Sequence, residues 1–278
     1  MVSIIIPCHN NVATIEKAIY SALNQTYKDI EVIIIDNGSD KINNENIDSS
    51  EALYDSQVYI KNKIINQLSE ENRKRIRVLS FPEMLGPAKA RNIGIKCAKG
   101  DYVAFLDADD YWAEDKLEKQ IKVMERYKIH GEGPKIVFSG RCLIDSKGNI
   151  TGRYIGCEKI VNYRRLLRSN QINCSSVLIS KKLMIANPFP EGDFHEDYAV
   201  WLKVLRKGGY AAGINQPLLF YRLGKNTMSS NKIKSAIMTY KVYRFLGIDV
   251  IHSIEHMVTY VIIGAKKHYF NTKNQKQY

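Results

Sequence analysis

Residues 2–36, VSIIIPCHNNVATIEKAIYSALNQTYKDIEVIIID, decide the fold. Two short runs rich in β-branched residues, Val2–Pro7 and Glu31–Ile35, predict buried strands. Between them, apolar residues recur at helical spacing over Thr14–Gln25. Two parallel strands need a crossover connection, so this strand–helix–strand order is typical of a βαβ unit. The sequence therefore predicts an α/β domain with a mostly parallel central sheet flanked by helices.

The same alternation continues along the chain. Residues 41–75 are polar, with a weak helical pattern around Ile60–Leu68, which predicts a helix with an inserted surface loop. The pattern after Asn226 is helical to the end. We therefore expect one domain over residues 1–225 and a helical extension over 226–278. Further strands are predicted at Ile76–Leu79, Asp101–Leu106, Ile136–Ile144 and Ser176–Ile179, and further helices at Gly86–Ala98, Lys116–Tyr127 and Tyr198–Lys207.

Polar clusters follow three of the predicted strands. They are Pro7–Asn10, Asp36–Ser39 and Asp107–Asp110. In a parallel sheet, ligands bind outside the carboxyl ends of the strands, so we expect the three clusters to share one sheet edge. Carboxylates and amides at this edge can hold a base and a ribose through hydrogen bonds.

The cluster Asp107–Asp110 also suits a metal ion. Two carboxylates flanking one small residue can hold Mg²⁺ or Mn²⁺, whose remaining positions are filled by the oxygens of a diphosphate. A solvated acidic turn is the alternative, because the pattern D-x-D is common. The motif alone leaves both interpretations open.

Composition narrows the partners and the compartment. The net charge of the 278 residues is +12, which favours nucleic acid, anionic lipid or phosphorylated substrates. Lysine and arginine are dispersed and no recognition motif is present, so we expect no nucleic acid partner. Five scattered cysteines without a C-x-x-C pair favour neither disulfides nor zinc and predict a reducing cytoplasm. We expect neither a signal peptide nor a membrane span.

The order of the motifs resembles that of family 2 glycosyltransferases. The resemblance implies a GT-A fold and an inverting enzyme that moves a sugar from a nucleotide diphosphate to an acceptor hydroxyl with Mn²⁺ or Mg²⁺. It covers residues 1–222. The motifs that carry it are Val2–Asn10 (VSIIIPCHN), Ser21-x-x-x-Gln25-Thr26, Glu31–Ser39 (EVIIIDNGS), Gly86–Gly94 (GPAKARNIG) and Ala98–Asp110 (AKGDYVAFLDADD).

The resemblance assigns residues to the nucleotide sugar. Two departures are His9, where the family usually has an aromatic residue, and Asn37, where it usually has a second aspartate. Asn37 leaves the nucleobase open, with uridine favoured. For Arg91 the alternative is a structural ion pair with Asp36. The implied set is Pro7, His9 and Asn10 along the pocket, Asp36 and Asn37 at base and ribose, Lys89 and Arg91 near the phosphates, Asp107 at the ribose with Ala108 beside it, and Asp109 at the metal.

A second acidic cluster, His195-Glu196-Asp197, precedes Trp201-Leu202. Acidic residues at a helix start are often ordinary charge placement. The string also resembles the family segment E-D-x-x-x-W-L, which implies that Asp197 is the general base and that Glu196 orients the acceptor or Asp197. Residues implied on the acceptor side are Asn173, Ser175, His195 and Trp201, a plain strand being the alternative for the first two.

The segment after Tyr221-Arg222 resembles the flexible loop that closes over the diphosphate in many relatives. Arg222 is implied to contact phosphate, because a guanidinium binds it bidentately. Some relatives carry a metal-binding histidine just after this arginine, and this chain has none. Either Lys225 replaces that charge or the metal is held mainly by Asp109.

The tail from residue 232 combines apolar helical positions with a lysine-rich end, and its last acidic residue is Glu255. Such a helix can lie on an anionic membrane surface. The alternative is packing on the catalytic domain, and both can hold together. Relatives with such a tail are often bacterial enzymes that build surface polysaccharide on a polyprenyl diphosphate carrier, which implies a lipid-linked saccharide as acceptor at the inner face of the membrane.

One rival activity uses similar residues. A nucleotidyltransferase also places an acidic pair and a metal at a strand end, but it normally carries a glycine-rich phosphate loop near the N-terminus. Residues 7–11 contain no glycine. The products differ, since a glycosyltransferase releases a nucleoside diphosphate and a nucleotidyltransferase releases pyrophosphate.

Overall fold

The computed structural model describes residues 1–39, 60–128, 133–223 and 232–273. The strands are β1 (Val2–Cys8), β2 (Ile30–Asn37), β3 (Ile76–Phe81), β4 (Tyr102–Phe105), β5 (Tyr111–Trp112), β6 (Ile136–Ile144), β7 (Ile150–Ile155), β8 (Ile160–Asn162), β9 (Leu178–Ser180) and β10 (Tyr210–Arg222). The α-helices are α1 (Val12–Leu23), α2 (Glu70–Lys74), α3 (Pro87–Cys97), α4 (Lys116–Lys128), α5 (Tyr163–Arg168), α6 (Lys181–Ala186), α7 (Glu196–Arg206), α8 (Lys232–Phe245) and α9 (Val250–Lys273).

One sheet runs through the molecule in the order β3-β2-β1-β4-β9-β6-β10-β5, with β7 beside β6 and β8 beside β10. Strands β1 to β4 are mutually parallel where they pair. Strand β9 is antiparallel to both β4 and β6, so β6 and its parallel neighbour β10 point the same way as β1. The predicted mostly parallel α/β sheet is confirmed.

Both faces of the sheet are buried, which explains the unbroken apolar runs in β1 and β2. Ile5, Ile33 and Phe105 face one core, which α3 and α7 cover. Ile4 and Ile34 face the other core, which α1 and α4 cover. Helices on both faces leave the strand ends as the open edge of the sheet.

Helix α3 lies unusually close to β1. A Cβ added at Gly94 would lie 2.5 Å from Ile5 Cγ2, so no larger residue fits without displacing the strand. The small residues of this helix, Ala88, Ala90 and Gly94, are all buried against the sheet. This close approach brings Arg91 of the same helix over the carboxyl ends of the strands.

Several elements differ from the sequence prediction. Strand β10 was not predicted, because Gly213 and Pro217 interrupt its apolar pattern, and its pairing with β6 is irregular between Ile214 and Pro217. The strand predicted from Ser176 starts at Leu178, after a 3₁₀ turn. The weak helix predicted around Ile60–Leu68 is a short π-helical turn followed by a 3₁₀ turn.

Helices α8 and α9 pack on the α/β domain. Tyr243 of α8 is fully buried, and its hydroxyl donates a hydrogen bond to the Leu167 carbonyl at 2.7 Å. Arg206 of α7 donates to the Leu246 carbonyl at 2.6 Å. Within the described ranges, no helix has the length and apolar content that a membrane crossing requires.

Candidate functional site

The loops after β1 and β2 form one hydrogen-bonded floor at the open sheet edge. Strands β1 and β2 are parallel and in register, with Cys8 opposite Asp36. His9 Nδ1 lies 3.0 Å from the Asn37 carbonyl oxygen. Ser39 donates its hydroxyl proton to Asp36 Oδ1 at 2.6 Å and accepts the Asn10 backbone N–H at 3.1 Å. Pro7 is half-buried just before this floor.

Asn37 fixes the next loop along the edge. Its Oδ1 accepts the Leu85 backbone N–H at 2.6 Å, which holds the connection between β3 and α3. A carboxylate oxygen can accept the same bond, so the departure from a second aspartate leaves this contact intact. The following Gly38 has φ of +64°, and a Cβ there would lie 2.3 Å from Met84 N, so only glycine fits.

Arg91 joins the two acidic clusters. Its Nη2 donates to Asp107 Oδ1 at 2.7 Å and its Nη1 donates to Glu196 Oε1 at 2.8 Å. The Arg91 side chain is only 7% exposed, so these ion pairs are largely shielded from water. The alternative ion pair between Arg91 and Asp36 is wrong, because both donor ends of the guanidinium turn to the other two carboxylates. Lys89, on the same helix, is exposed.

The acidic turn after β4 is held from two sides. The Asp107 backbone N–H donates to Ser175 Oγ at 3.1 Å. Arg222, at the end of β10, donates its backbone N–H to Asp110 Oδ1 at 2.9 Å and its Nε–H to the Asp109 carbonyl at 2.8 Å. Ala108 is buried within the turn. Arg222 therefore shapes the turn as well as placing positive charge beside it.

This turn carries surplus negative charge. Burial and the charge of Asp107 raise the pKa of Asp109. Burial and the charges of Asp107 and Asp109 raise the pKa of Asp110 well above its usual range. The buried Oδ2 of Asp110 has no hydrogen-bond partner among the described residues. A divalent cation relieves such crowding. Within the described ranges no group of three His, Cys, Asp or Glu side chains is arranged to hold a metal ion. Mg²⁺ or Mn²⁺ held by one carboxylate and phosphate oxygens fits Asp109.

Asp197 is the second residue of helix α7 and follows Glu196. Its Oδ1 accepts the Tyr198 backbone N–H at 2.7 Å, which fixes the carboxylate. Burial, and next the charge of Glu196, raise the pKa of Asp197 to about 7. A carboxylate with a pKa near neutral pH is suited to accept a proton from a hydroxyl.

His195 connects this cluster to the C-terminal helices. Its Nε2 lies 3.2 Å from Ser235 Oγ of α8, and the side chain is half-buried. Burial lowers the pKa of His195, which favours the neutral ring. Helix α8 therefore borders the end of α7 that carries Asp197.

Ser175 and Asn173 build the support under the acidic turn. Ser175 is fully buried, receives the Asp107 N–H, and accepts the Trp112 indole N–H on its carbonyl at 2.7 Å. Asn173 Oδ1 accepts the Ser175 N–H at 2.9 Å. In this structure Ser175 has no surface for a direct contact with an acceptor, whereas Asn173 is partly exposed.

Trp201 lies in the core. Its side chain is 0% exposed, and its ring packs 5.9 Å from Phe189 and 6.3 Å from Phe105, centroid to centroid. Trp201 was predicted to contact the acceptor, but its buried ring has no surface for a direct contact. Its size fills the space between α7 and the sheet, which positions Glu196 and Asp197.

One basic residue of the site was missed from the sequence. Lys17 of α1 lies with Nζ 3.7 Å from the centroid of the Tyr111 ring. A Cβ at Gly148 would lie 3.5 Å from Arg222 Nη2 and 3.8 Å from Lys17 Nζ, so both cations face the same glycine. Burial and the charge of Arg222 lower the pKa of Lys17. Lys17 and Arg222 are far apart in the sequence, so only the folded structure shows that their side chains lie close together. The predicted alternative Lys225 lies outside the described residues.

Comparison with known families fits this arrangement. The family described as "Glycosyl transferase family 2" matches residues 3–183. The chain belongs to glycosyl transferase family 2. It is therefore a glycosyltransferase, and the resemblance inferred from its motifs is confirmed.

Similar family 2 proteins span almost the whole chain. The chain is 35% identical to the UDP-Glc:alpha-D-GlcNAc-diphosphoundecaprenol beta-1,3-glucosyltransferase WfaP of Escherichia coli, over 99% of this chain and 98% of that protein. It is also 35% identical to the putative teichuronic acid biosynthesis glycosyltransferase TuaG of Bacillus subtilis, over 88% and 87% of the two chains.

Solved structures confirm the GT-A fold. S. aureus TarS (residues 1–349), crystallised with UDP-GlcNAc, matches with a TM-score of 0.66 at 18% identity, over 94% of this chain and 71% of that one. The mannosyltransferase PcManGT from Pyrobaculum calidifontis, in complex with GDP-Man and Mn²⁺, matches with a TM-score of 0.65 at 17% identity, over 92% and 69%.

Proposed function

We propose that this family 2 enzyme inverts the anomeric centre of a nucleotide diphosphate sugar, with uridine as the favoured base, and transfers the sugar to a saccharide on a polyprenyl diphosphate carrier. One observation carries the proposal: Arg91 binds Asp107 of the donor-side cluster and Glu196 of the base-side cluster at 2.7 and 2.8 Å. The two clusters therefore border the same space.

The donor is proposed to lie along the open sheet edge. The base and ribose would lie over the floor of Pro7, His9, Asn10, Asp36 and Asn37, in which Asp36 and Asn37 are only 2% and 5% exposed. The Asp107 carboxylate, which is 31% exposed despite its bond to Arg91, retains surface for a ribose hydroxyl. Asn37 already accepts one backbone hydrogen bond, so its amide N–H is the group left to a base carbonyl.

The diphosphate is proposed to lie at the acidic turn. Asp109 would hold Mn²⁺ or Mg²⁺, which when bound supplies Lewis-acid stabilisation of the departing phosphate oxygens. Arg222 and Lys17 place positive charge on the other side of the turn, and Lys89 is a further cation on α3. Fixed cations at the oxygens where charge develops lower the barrier to departure.

The proton is proposed to pass to Asp197. The acceptor oxygen attacks the anomeric carbon, the bond from that carbon to the phosphate oxygen breaks, and the hydroxyl proton moves to the Asp197 carboxylate. The nucleoside diphosphate leaves with the bonding electrons. One displacement without a covalent intermediate inverts the centre, so an α-linked donor gives a β-linkage. Glu196 and Arg91 position the base, and His195 and Asn173 border the acceptor.

The names of two relatives support the proposed acceptor class. Two E. coli proteins, WfaP and WfgD, at 35% and 32% identity, are named as glucosyltransferases that use UDP-Glc and α-D-GlcNAc-diphosphoundecaprenol. We therefore favour UDP-glucose and a GlcNAc-diphosphate lipid as the first pair to test. An enzyme with this acceptor works in the cytoplasm at the inner face of the membrane.

The deciding experiment incubates the purified chain with a panel of nucleotide sugars, Mn²⁺, and a synthetic short-chain lipid bearing α-GlcNAc diphosphate. The proposal predicts release of the nucleoside diphosphate and a product heavier by one hexose. Pyrophosphate release would instead indicate a nucleotidyltransferase. Release of free sugar without a heavier lipid, for every acceptor tried, would contradict the proposed acceptor class.

A further inference from the structure

Helix α9 exposes an apolar stripe to water. At 100° per residue its members fall within an arc of about 120° on one face of the helix. A continuous apolar stripe of this width is unusual on a helix face that is exposed to water. The members are Val250, Ile251, Ile254, Val258, Val261 and Ile262, each between 47% and 78% exposed.

The opposite side of α9 already fastens the helix to the catalytic domain. Met257 and Tyr260 pack against the core, and the Tyr260 ring lies 6.1 Å from that of Tyr198 in α7. Ser253 is fully buried. The predicted packing of the tail on the catalytic domain is therefore present, and the exposed stripe is not needed for it.

Charge favours one occupant for this stripe. From residue 232 onward the only acidic residues are Asp249 and Glu255. Lysines follow the stripe along the chain at positions 266, 267, 273 and 276. A second copy would bring the same positive end and a like net charge of +12, which repels. An anionic phospholipid surface takes both the apolar face and the lysines.

We propose that the α9 stripe is a membrane-docking surface that lies in the interface of an anionic bilayer. Ile233 and Ile237 of α8, the other C-terminal helix, are 75% and 51% exposed and add further apolar surface. Because Ser235 of α8 contacts His195 beside the proposed base, docking brings the acceptor side of the site near the lipid surface. This last step rests on the proposed function, whereas the docking itself does not.

Flotation with vesicles tests the docking without any turnover. The full-length chain is mixed with vesicles of phosphatidylglycerol and phosphatidylethanolamine or of phosphatidylcholine alone. We expect binding to the anionic vesicles, weakened by raised salt. The variant Ile251→Asn with Ile254→Asn should bind at least about tenfold more weakly, because two apolar side chains no longer enter the interface. Val258→Asn with Ile262→Asn, at the other end, should do the same.

A matched control removes equally exposed apolar residues elsewhere. Ile160 and Ile185 are 59% and 57% exposed outside the C-terminal helices, and Ile160→Thr with Ile185→Asn should float as the wild type does. Folding of each variant is checked by its thermal unfolding. Transfer to an acceptor in vesicles should fall in the stripe variants, while transfer to a water-soluble short-chain acceptor should not.

Three results would overturn the docking proposal. In the first, both stripe variants float with the vesicles as the wild type does. In the second, the wild-type chain binds none of the vesicles. In the third, the wild-type chain is a dimer in solution and the stripe variants are monomers. Vesicle binding without any transfer activity would instead leave the docking intact and count against the proposed function.

Discussion

Asp107 and Glu196, from two acidic clusters far apart in sequence, accept hydrogen bonds from the two ends of the same Arg91 guanidinium. The buried guanidinium places one positive charge between the two carboxylates, which offsets their mutual repulsion. The resemblance assigned Arg91 to the nucleotide phosphates. In the structure its guanidinium joins the two acidic clusters, and a contact of Arg91 with the phosphates stays a prediction.

Replacing Arg91 by methionine should strongly destabilise the protein. The change leaves the largely buried Glu196 and the partly exposed Asp107, 12% and 31% exposed, without their cation. Removing one partner of a buried ion pair typically costs about 3–5 kcal/mol. Urea unfolding at neutral pH measures it. The control Arg165→Met breaks the more exposed pair with Glu158, whose side chains are 30% and 41% exposed, and should cost no more than about 1 kcal/mol. Equal losses in the two variants would argue against a special role for Arg91.

Asp109→Ala should remove the effect of Mn²⁺ on nucleotide binding. In the wild type, Mn²⁺ should tighten UDP binding in calorimetry, because Asp109 would hold the cation and phosphate oxygens are among the ligands that such a cation prefers. The variant should show the same UDP affinity with and without the metal, and its turnover should fall about 10²-fold or more. A variant that still responds to Mn²⁺ would place the cation elsewhere.

The pH dependence of kcat/KM should show an acidic limb with an apparent pKa of about 7, the value to which burial and Glu196 raise Asp197. The active form is the ionised carboxylate, so activity rises with pH through this range and then levels off. Glu196→Gln removes a neighbouring negative charge, lowers the pKa of Asp197 and should move the limb to lower pH. Glu191→Gln, in an exposed loop, should leave it in place.

Lys17→Met should raise KM for the donor several-fold with little change in kcat, because a cation near the diphosphate contributes mainly to binding. The thermal stability should hardly change, since Lys17 is exposed. Lys28→Met is the matched control, because Lys28 lies at the amino end of β2, away from the open sheet edge. An unchanged KM for the donor in Lys17→Met would show that Lys17 does not take part in donor binding.

The sequence predicted the sheet and the polar strand ends that share one of its edges, because β-branched runs and strand-end polar clusters are local signals. It could not predict that Ser175 and Trp201 are buried, since a motif position does not tell which way a side chain points. Lys17 lies on the Tyr111 ring of β5, and Arg222 is placed beside it by β10, which pairs with both β5 and β6. The sequence pattern of β10 was hidden by its glycine and proline. The predicted domain boundary at 225 lies outside the described residues.

The account depends most on Asp197 taking the acceptor proton while the donor is held by a separate cluster. Single-turnover transfer by Asp197→Asn at saturating donor tests this directly. We predict an unchanged dissociation constant for the nucleotide and a transfer rate lower by about 10²-fold or more, because the amide cannot accept the proton. A transfer rate near that of the wild type would contradict the assignment of the base.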